Sequence, residues 1–429
     1  MYGSRLAMTG RLVTALVFAG LLSGCTSSAS QPERTVSVAV RPGSSLADQP
    51  VQIEITGLSP GELVSVQLSS TDANGVPWQA SAAYRADPGG AVDLSTATAI
   101  SGSYHGISGM GLIWSMHALK PDPAGAYFWG GETPLAFTLA VSAHDAQVAS
   151  AGFKRKFSAG AIAETMESLA DDWFVGELWR PADTAARRPA VLVLGGSEGG
   201  LPRGLLAALL ASNGYPALGV AYFAAPGLPQ TLSRIPLEYF ARALRWLARQ
   251  PGVDPSRIAV LGVSRGSEAA QLLGVYYPKL VHAVIASVPS NVAVCSSPGC
   301  TGPAWTLHGQ ALPYTSEVDD PSPTDNPAAV IPDQRIQGPV FLDCGEADQT
   351  WTSCPYAQAV LRVLDSHHDH WAHVLYAYPG AGHPVGTLVP YEPAFPVGDT
   401  DYAADQQARA LLWPHLLAFL AGLEHDPAS

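Results

Sequence analysis

The sequence predicts an α/β fold, a mostly parallel sheet with flanking helices, preceded by a small all-β immunoglobulin-like sandwich. Three observations carry that expectation. β-branched segments broken by Pro, Gly, Asp and Asn turns fill the first third of the chain; from about residue 161 strands alternate with alanine- and leucine-rich helices; and two glycine-bracketed serines each follow an apolar run. With 429 residues and 47% hydrophobic content, the chain is long enough for two or three cores, and its composition argues against disorder.

At the N-terminus, Arg5 and Arg11 form a positive patch ahead of LVTALVFAGLL (12–22), an apolar stretch too short to span a bilayer comfortably. LSGC follows, and small residues before Cys25 resemble the bacterial lipobox, in which the cysteine is lipidated and becomes the new N-terminus. Residues 1–24 are therefore expected to be a lipoprotein signal peptide and the polar stretch 25–32 a tether. The expected location is the cell envelope, anchored to a membrane through lipid, the outer membrane where the source has one. The alternative is an ordinary cleaved signal with Cys25 incidental. The formal charge of -13 becomes -15 once the leader, with its two arginines and no acid, is removed, and this disfavours a nucleic-acid partner.

Residues 33–160 are expected to form the sandwich. TVSVAV, VQIEITGL, LVSVQLSS and LAFTLAVSA show alternation or β-branched enrichment, separated by turns such as RPGS, DANG and DPGG, which predicts a small antiparallel domain. Residues 161–425 are expected to form the second domain. LLAALLASNG (205–214) reads as a helix closed by Gly214, PALGVAYF (216–223) as a strand and LEYFARALRWLARQ (237–250) as a helix, with AVIASVP, PVFLDCG and HVLYAYP as later strands. No internal repeat and no heptad run is present.

IAVLGVSR (258–265) ends an apolar strand in GxSxG, formed by Gly262, Ser264 and Gly266. Glycine at the flanking positions lets the backbone turn sharply from strand to helix, with the serine hydroxyl exposed at the sheet edge. Gly195, Ser197 and Gly199 spell the same motif. Chain order separates them: in the α/β-hydrolase arrangement an earlier glycine loop supplies an oxyanion donor and a later strand carries the nucleophile. Ser264 is thus the expected nucleophile, against Ser197 or a glycine-bounded strand end without chemistry.

A serine hydroxyl needs an adjacent base, and the base an orienting carboxylate. Asp348, after PVFLDC, is the expected acid, with Glu346 and Asp343 as rivals; His383, after HVLYAYP, is the expected base. The cluster His367, His368, Asp369 and His370 has spacing that could bind a metal but reads better as a solvated turn, so no metal and no organic cofactor is expected. The oxyanion donors are expected to be the N–H of Arg265 and that of Gly196 or Ser197. The guanidinium of Arg265 is either a contact for an anionic substrate group or a surface helix residue.

Cys295, Cys300, Cys344 and Cys354 remain after Cys25, and an even count in an exported chain points to two disulfides. The local pairing, 295 to 300 and 344 to 354, is the simplest of three, and its second bridge would clamp the loop holding Asp348. Their spacing does not suit paired CxxC zinc ligands.

Taken together, VQIEITGLSPGELVSVQ, GSYHGISGMGLIWSM, PAVLVLGGSEGG, NGYPALGVAYF, GLPQTL, PLEYFARALRWL, GVSRGS, GEADQTW and YPGAGH occur in an order that resembles the acyl-CoA thioesterase and bile acid-CoA:amino acid N-acyltransferase family over residues 50 to 390. That resemblance implies a sandwich joined to an α/β-hydrolase domain, with Ser264 as nucleophile, Asp348 as acid and His383 as base. The family's aminoacyl-transferring members look to have cysteine at the nucleophile, so serine leans toward hydrolysis. The export leader and the CSSPGCTGPAW segment depart from the family's pattern and leave the acyl carrier open.

The expected function is hydrolysis of a small acyl thioester or ester through an acyl-enzyme on Ser264. The alternatives are a non-catalytic envelope lipoprotein that binds a lipid or a partner, an acyltransferase to an amine acceptor, and a peptidase, for which the N-terminal domain is too small and wrongly patterned to form a propeller gate. Acyl length, leaving group and oligomeric state are not legible in the sequence.

Overall fold

Strands of the first region alternate buried and exposed residues because one face of each sheet meets a core and the other meets solvent. Leu63–Thr71 buries Val64, Val66 and Leu68, and its antiparallel neighbour Pro77–Arg85 buries Trp78, Ala80, Ala82 and Tyr84. The computed structural model describes residues 35–120, 128, 130–131, 133–159, 162–168, 173–202, 204–367, 370–393 and 401–425. Cys25 and the signal and tether segments lie outside the described residues, as do His368 and Asp369. Among the described residues no helix is long and apolar enough to cross a membrane.

Two sheets face each other in this region. The smaller orders Ser37–Arg41, Gln52–Thr56 and Val92–Asp93; the larger runs Ser44–Leu46, Ala146–Lys156, Leu135–Ala143, Leu63–Thr71, Pro77–Arg85 and Ser101–Gly102. The expectation of a purely antiparallel sandwich needs one correction: Ser44–Leu46 pairs parallel to Ala146–Lys156, with Lys154 opposite Ser44. The buried Arg155 makes this edge, donating to Gln49 O at 2.6 Å, to Ser45 Oγ at 3.2 Å and to Ala47 O, contacts between residues more than a hundred positions apart that no local pattern announces.

The second region is built on one eight-stranded sheet. Its strands in chain order are β1 (Ile162–Glu167), β2 (Val175–Pro181), β3 (Arg188–Leu194), β4 (Ala217–Ala221), β5 (Val253–Val263), β6 (Ala283–Ser287), β7 (Val340–Gly345) and β8 (His373–Tyr378), and they lie in the order β1-β2-β4-β3-β5-β6-β7-β8. β1 and β2 are antiparallel to their neighbours; β3 through β8 run parallel to one another. Every residue of β4, β6 and β7 is buried, because helices cover both faces. These are α1 (Gly204–Ser212), α2 (Leu237–Leu247), α3 (Arg265–Tyr276), α4 (Ser353–Ser366) and α5 (Tyr402–Gly422). Gly214 follows α1 at φ +99°, the left-handed closure that glycine permits.

The two regions share polar ties. Asp48 of the sandwich accepts from Nδ2 of Asn213, the residue after α1, at 2.8 Å and from Nε1 of Trp413, in α5, at 3.1 Å. Residues 290–337, whose path no local pattern gives, fold over α3: Val292, Val294 and Cys295 pack with Trp351 and Tyr356 in a small core of their own. That cover is why α3 is buried from Arg265 to Val275.

Candidate active site

β5 carries an unbroken buried run from Ile258 to Gly262 and delivers Ser264 to the sheet edge at φ +53°, ψ -121°, a left-handed conformation that a side chain adopts only when its surroundings impose it. The surroundings do so through two glycines. A Cβ on Gly262 would stand 2.0 Å from Gly266 O, and one on Gly266 would stand 2.4 Å from Gly195 O, so neither position admits another residue. Ser264 N donates to Ser287 O at 3.0 Å, and Ser264 O accepts from Ser267 N at 2.9 Å and Ser267 Oγ at 2.6 Å. Helix α3 starts at the next residue, so its positive N-terminal end lies beside the hydroxyl.

His383 follows β8 and opens a short 3₁₀ turn, His383–Thr387. Its Nδ1 lies 2.8 Å from Asp348 Oδ2. The other oxygen, Oδ1, accepts from Thr350 N at 2.9 Å and Trp351 N at 3.3 Å, so the carboxylate is oriented by its own loop as well as by the imidazole. The Asp348 side chain is 1% exposed and the His383 side chain 17%, so the pair runs from a buried carboxyl to a more accessible imidazole. Trp351 stands edge-on to the imidazole with ring centroids 6.0 Å apart and donates Nε1 to Val288 O at 3.0 Å.

The rival acids are placed elsewhere. Glu346 is exposed. Asp343 lies inside β7, fully buried, where its Oδ1 accepts from Ser287 Oγ at 2.7 Å, and burial pushes its carboxyl up to about 7 against the opposing pull of that hydrogen bond.

Ser264 and His383 line one cavity of about 390 Å³, together with Ser197, Glu198, Leu206 and Val389. The glycine loop after β3 forms its rim. A Cβ on Gly196 would lie 3.1 Å from Ser264 Cβ, which brings this loop against Ser264. Tyr222, just past β4, holds the loop from beneath by donating to Gly195 O at 2.6 Å and Gly196 O at 3.2 Å; burial raises its phenol well above the ordinary range and keeps it a donor. The Gly196 N–H donates to Glu198 Oε1 at 3.0 Å.

The Arg265 side chain does neither of the things its position suggests. It turns inward, with Nε 2.7 Å from Glu268 Oε1 and Nη2 donating to Val294 O at 2.8 Å. Glu268, fully buried and with its carboxyl raised by burial, also accepts from Trp305 Nε1 at 2.7 Å and Val294 N at 3.2 Å. This network pins the 290–337 segment onto α3, and the reason is burial: a covered α3 leaves the guanidinium no solvent to reach.

Cys295 bonds Cys300, and Cys344 bonds Cys354. The second bridge joins the end of β7 to the first turn of α4, and Asp348 lies between the two half-cystines. His367 is exposed with Nδ1 3.1 Å from Val363 O, and the His370 ring lies tilted against Trp371 with ring centroids 4.2 Å apart. Among the described residues no group of three or more His, Cys, Asp or Glu is placed to hold a metal ion.

Three residues important to this geometry carry no sequence signature. Glu198 and Tyr222 sit in the blocks LGGSEGG and PALGVAYF, but only the fold turns them toward the glycine loop beside Ser264. Asp405, in α5, accepts the Gly382 N–H at 2.7 Å and so supports the residue before His383.

Residues 48–166 match the family model described as the acyl-CoA thioester hydrolase/BAAT N-terminal region, and residues 235–413 match that of the BAAT/acyl-CoA thioester hydrolase C terminal. The chain is similar to acyl-coenzyme A amino acid N-acyltransferase 2 of Rattus norvegicus, 30% identical over 82% of this chain and 87% of the relative. It is also similar to acyl-coenzyme A thioesterase 6 of Mus musculus, 29% identical over 80% and 83%, and of Homo sapiens, 30% identical over 78% and 82%.

Proposed function

The chain belongs to the acyl-CoA thioester hydrolase and BAAT family, and from that premise we propose that it is a serine hydrolase of acyl thioesters or esters, acting through an acyl-enzyme on Ser264. The observation that carries this reading is the Asp348–His383 pair at 2.8 Å opening onto the same cavity as a serine on a glycine-bracketed strand-to-helix turn.

In this mechanism the Ser264 hydroxyl attacks the acyl carbonyl while His383 Nε2 takes its proton, and Asp348 steadies the imidazolium through Nδ1. Backbone N–H groups of Arg265 and of Gly196 or Ser197 face the oxyanion, helped by the N-terminus of α3. Collapse expels the thiol or alcohol, which leaves with the proton from His383. Water, deprotonated by the same imidazole, then releases the acid and restores the serine. Apolar walls from Val193, Leu194, Leu206 and Val389 suit the acyl group.

Replacement of Ser264 by alanine tests the reading. The variant should lose turnover of p-nitrophenyl esters and acyl thioesters and should no longer be labelled by a fluorophosphonate; full thioesterase activity in it would refute the assignment. The leader reading adds that the enzyme is exported and lipid-anchored through Cys25. Recovery of a Cys25→Ser variant in the membrane fraction, unchanged from the parent, would remove that part of the proposal.

Transfer of the acyl group to an amine is the second reading, favoured by the similarity to a rat N-acyltransferase. Formation of N-acyl product at the expense of free acid when amino acids are added would distinguish it.

A further inference from the structure

One of the two backbone N–H groups that could serve the oxyanion, that of Gly196, is already engaged. Gly196 N–H donates to Glu198 Oε1 at 3.0 Å, and the second carboxylate oxygen lies 2.9 Å from the point where a Gly196 Cβ would stand, a point only 3.1 Å from Ser264 Cβ. Carboxylate and nucleophile therefore flank one glycine, and both line the cavity. Tyr222 grips the carbonyls of Gly195 and Gly196, so the Gly196 peptide is held and its N–H keeps its aim when the acceptor changes. Glu198 itself is exposed, so it can swing out without leaving a charge buried.

We propose that Glu198 is a resting occupant of the oxyanion site, a carboxylate oxygen standing where the acyl oxygen must go, and that its displacement precedes acylation of Ser264. The proposal rests on the hydrolase reading of the site. A carboxylate on a backbone N–H is a charge-assisted hydrogen bond, stronger than the bond a neutral carbonyl makes with the same donor. The incoming ester or thioester thus expels the carboxylate at the expense of its own binding. Displacement is completed on binding, so its cost appears in KM more than in kcat.

The test compares the full-length protein with its Glu198→Gln and Glu198→Ala variants, measuring the second-order rate of fluorophosphonate labelling at Ser264 and the kcat and KM for p-nitrophenyl butyrate. Glu198→Ala should label about tenfold faster, the scale of one charge-assisted hydrogen bond lost to a competitor. Its KM should fall by a similar factor with kcat changed by less than about twofold. Glu198→Gln, whose neutral oxygen is a weaker acceptor of the same shape, should fall between. A purely structural role for Glu198 in its turn gives the opposite sign, with slower labelling in both variants. Labelling of the parent at Ser264 together with unchanged or slower labelling of the variants overturns the proposal and leaves the hydrolase reading standing. Absence of labelling in the parent overturns both.

Discussion

Gly382 donates its backbone N–H to Asp405 Oδ1 at 2.7 Å, so the first turn of the last helix holds the residue that precedes His383. Both residues are buried. Asp405→Ala would leave that N–H unpaired out of reach of solvent, at a cost of about 1–3 kcal/mol. Because the loop shifts the imidazole rather than the whole fold, kcat/KM should fall about tenfold, with most of the change in kcat. Asp405→Asn keeps an acceptor oxygen and should stay near the parent. Steady-state kinetics of the pair decides the matter: equal losses in both variants would mean that the charge, and not the hydrogen bond, is what counts.

Asp348→Asn should lower kcat on the order of 10³–10⁴-fold with little effect on folding, since the amide can present its N–H to Nδ1 and favour the wrong tautomer. Glu346→Gln, at an exposed position in the same loop, should remain within about twofold of the parent. Reversal of these two results would transfer the orienting role to Glu346.

Asp343 makes stability depend on pH. The folded protein holds its carboxyl proton up to about 7, whereas an unfolded chain releases it near 4. Between those values the folded state binds the extra proton, so this group's contribution to stability is complete below about pH 4, declines as pH rises and is gone above about pH 7, with a total of at most on the order of 4 kcal/mol. Asp343→Asn keeps the acceptor for Ser287 Oγ and removes the titration. Its unfolding midpoint should therefore exceed that of the parent increasingly from pH 5 to pH 8, as followed by denaturant titration; parallel curves would rule this origin out.

The Cys344–Cys354 bridge closes the loop that carries Asp348. In the chain-entropy model a loop of this length contributes about 3 kcal/mol. A Cys344→Ser/Cys354→Ser protein should unfold at lower temperature and lose a larger share of kcat than one lacking Cys295 and Cys300, whose bridge lies in the 290–337 segment and spans a shorter loop. Thermal unfolding and turnover of the two double variants, side by side, provide the check.

Local periodicity and close-range chemistry were enough for the sequence by itself to determine the sandwich strands, the βαβ alternation, the glycine-bracketed turn at Ser264 and the candidates Asp348 and His383. A strand's alternation, a helix's closing glycine and a serine between glycines are each decided within a few residues, because backbone sterics act at that range. Tertiary structure alone decided which of Asp343, Glu346 and Asp348 meets His383, that Arg265 turns inward toward Glu268, that Glu198 engages the Gly196 N–H, and that Asp405 reaches Gly382. Burial and pairing set those outcomes: a carboxyl inside β7 is shut off from solvent, pushed up by burial and tied to Ser287, whereas one five residues later sits in a loop beside an imidazole, and only the stacking of distant strands and helices tells the two environments apart.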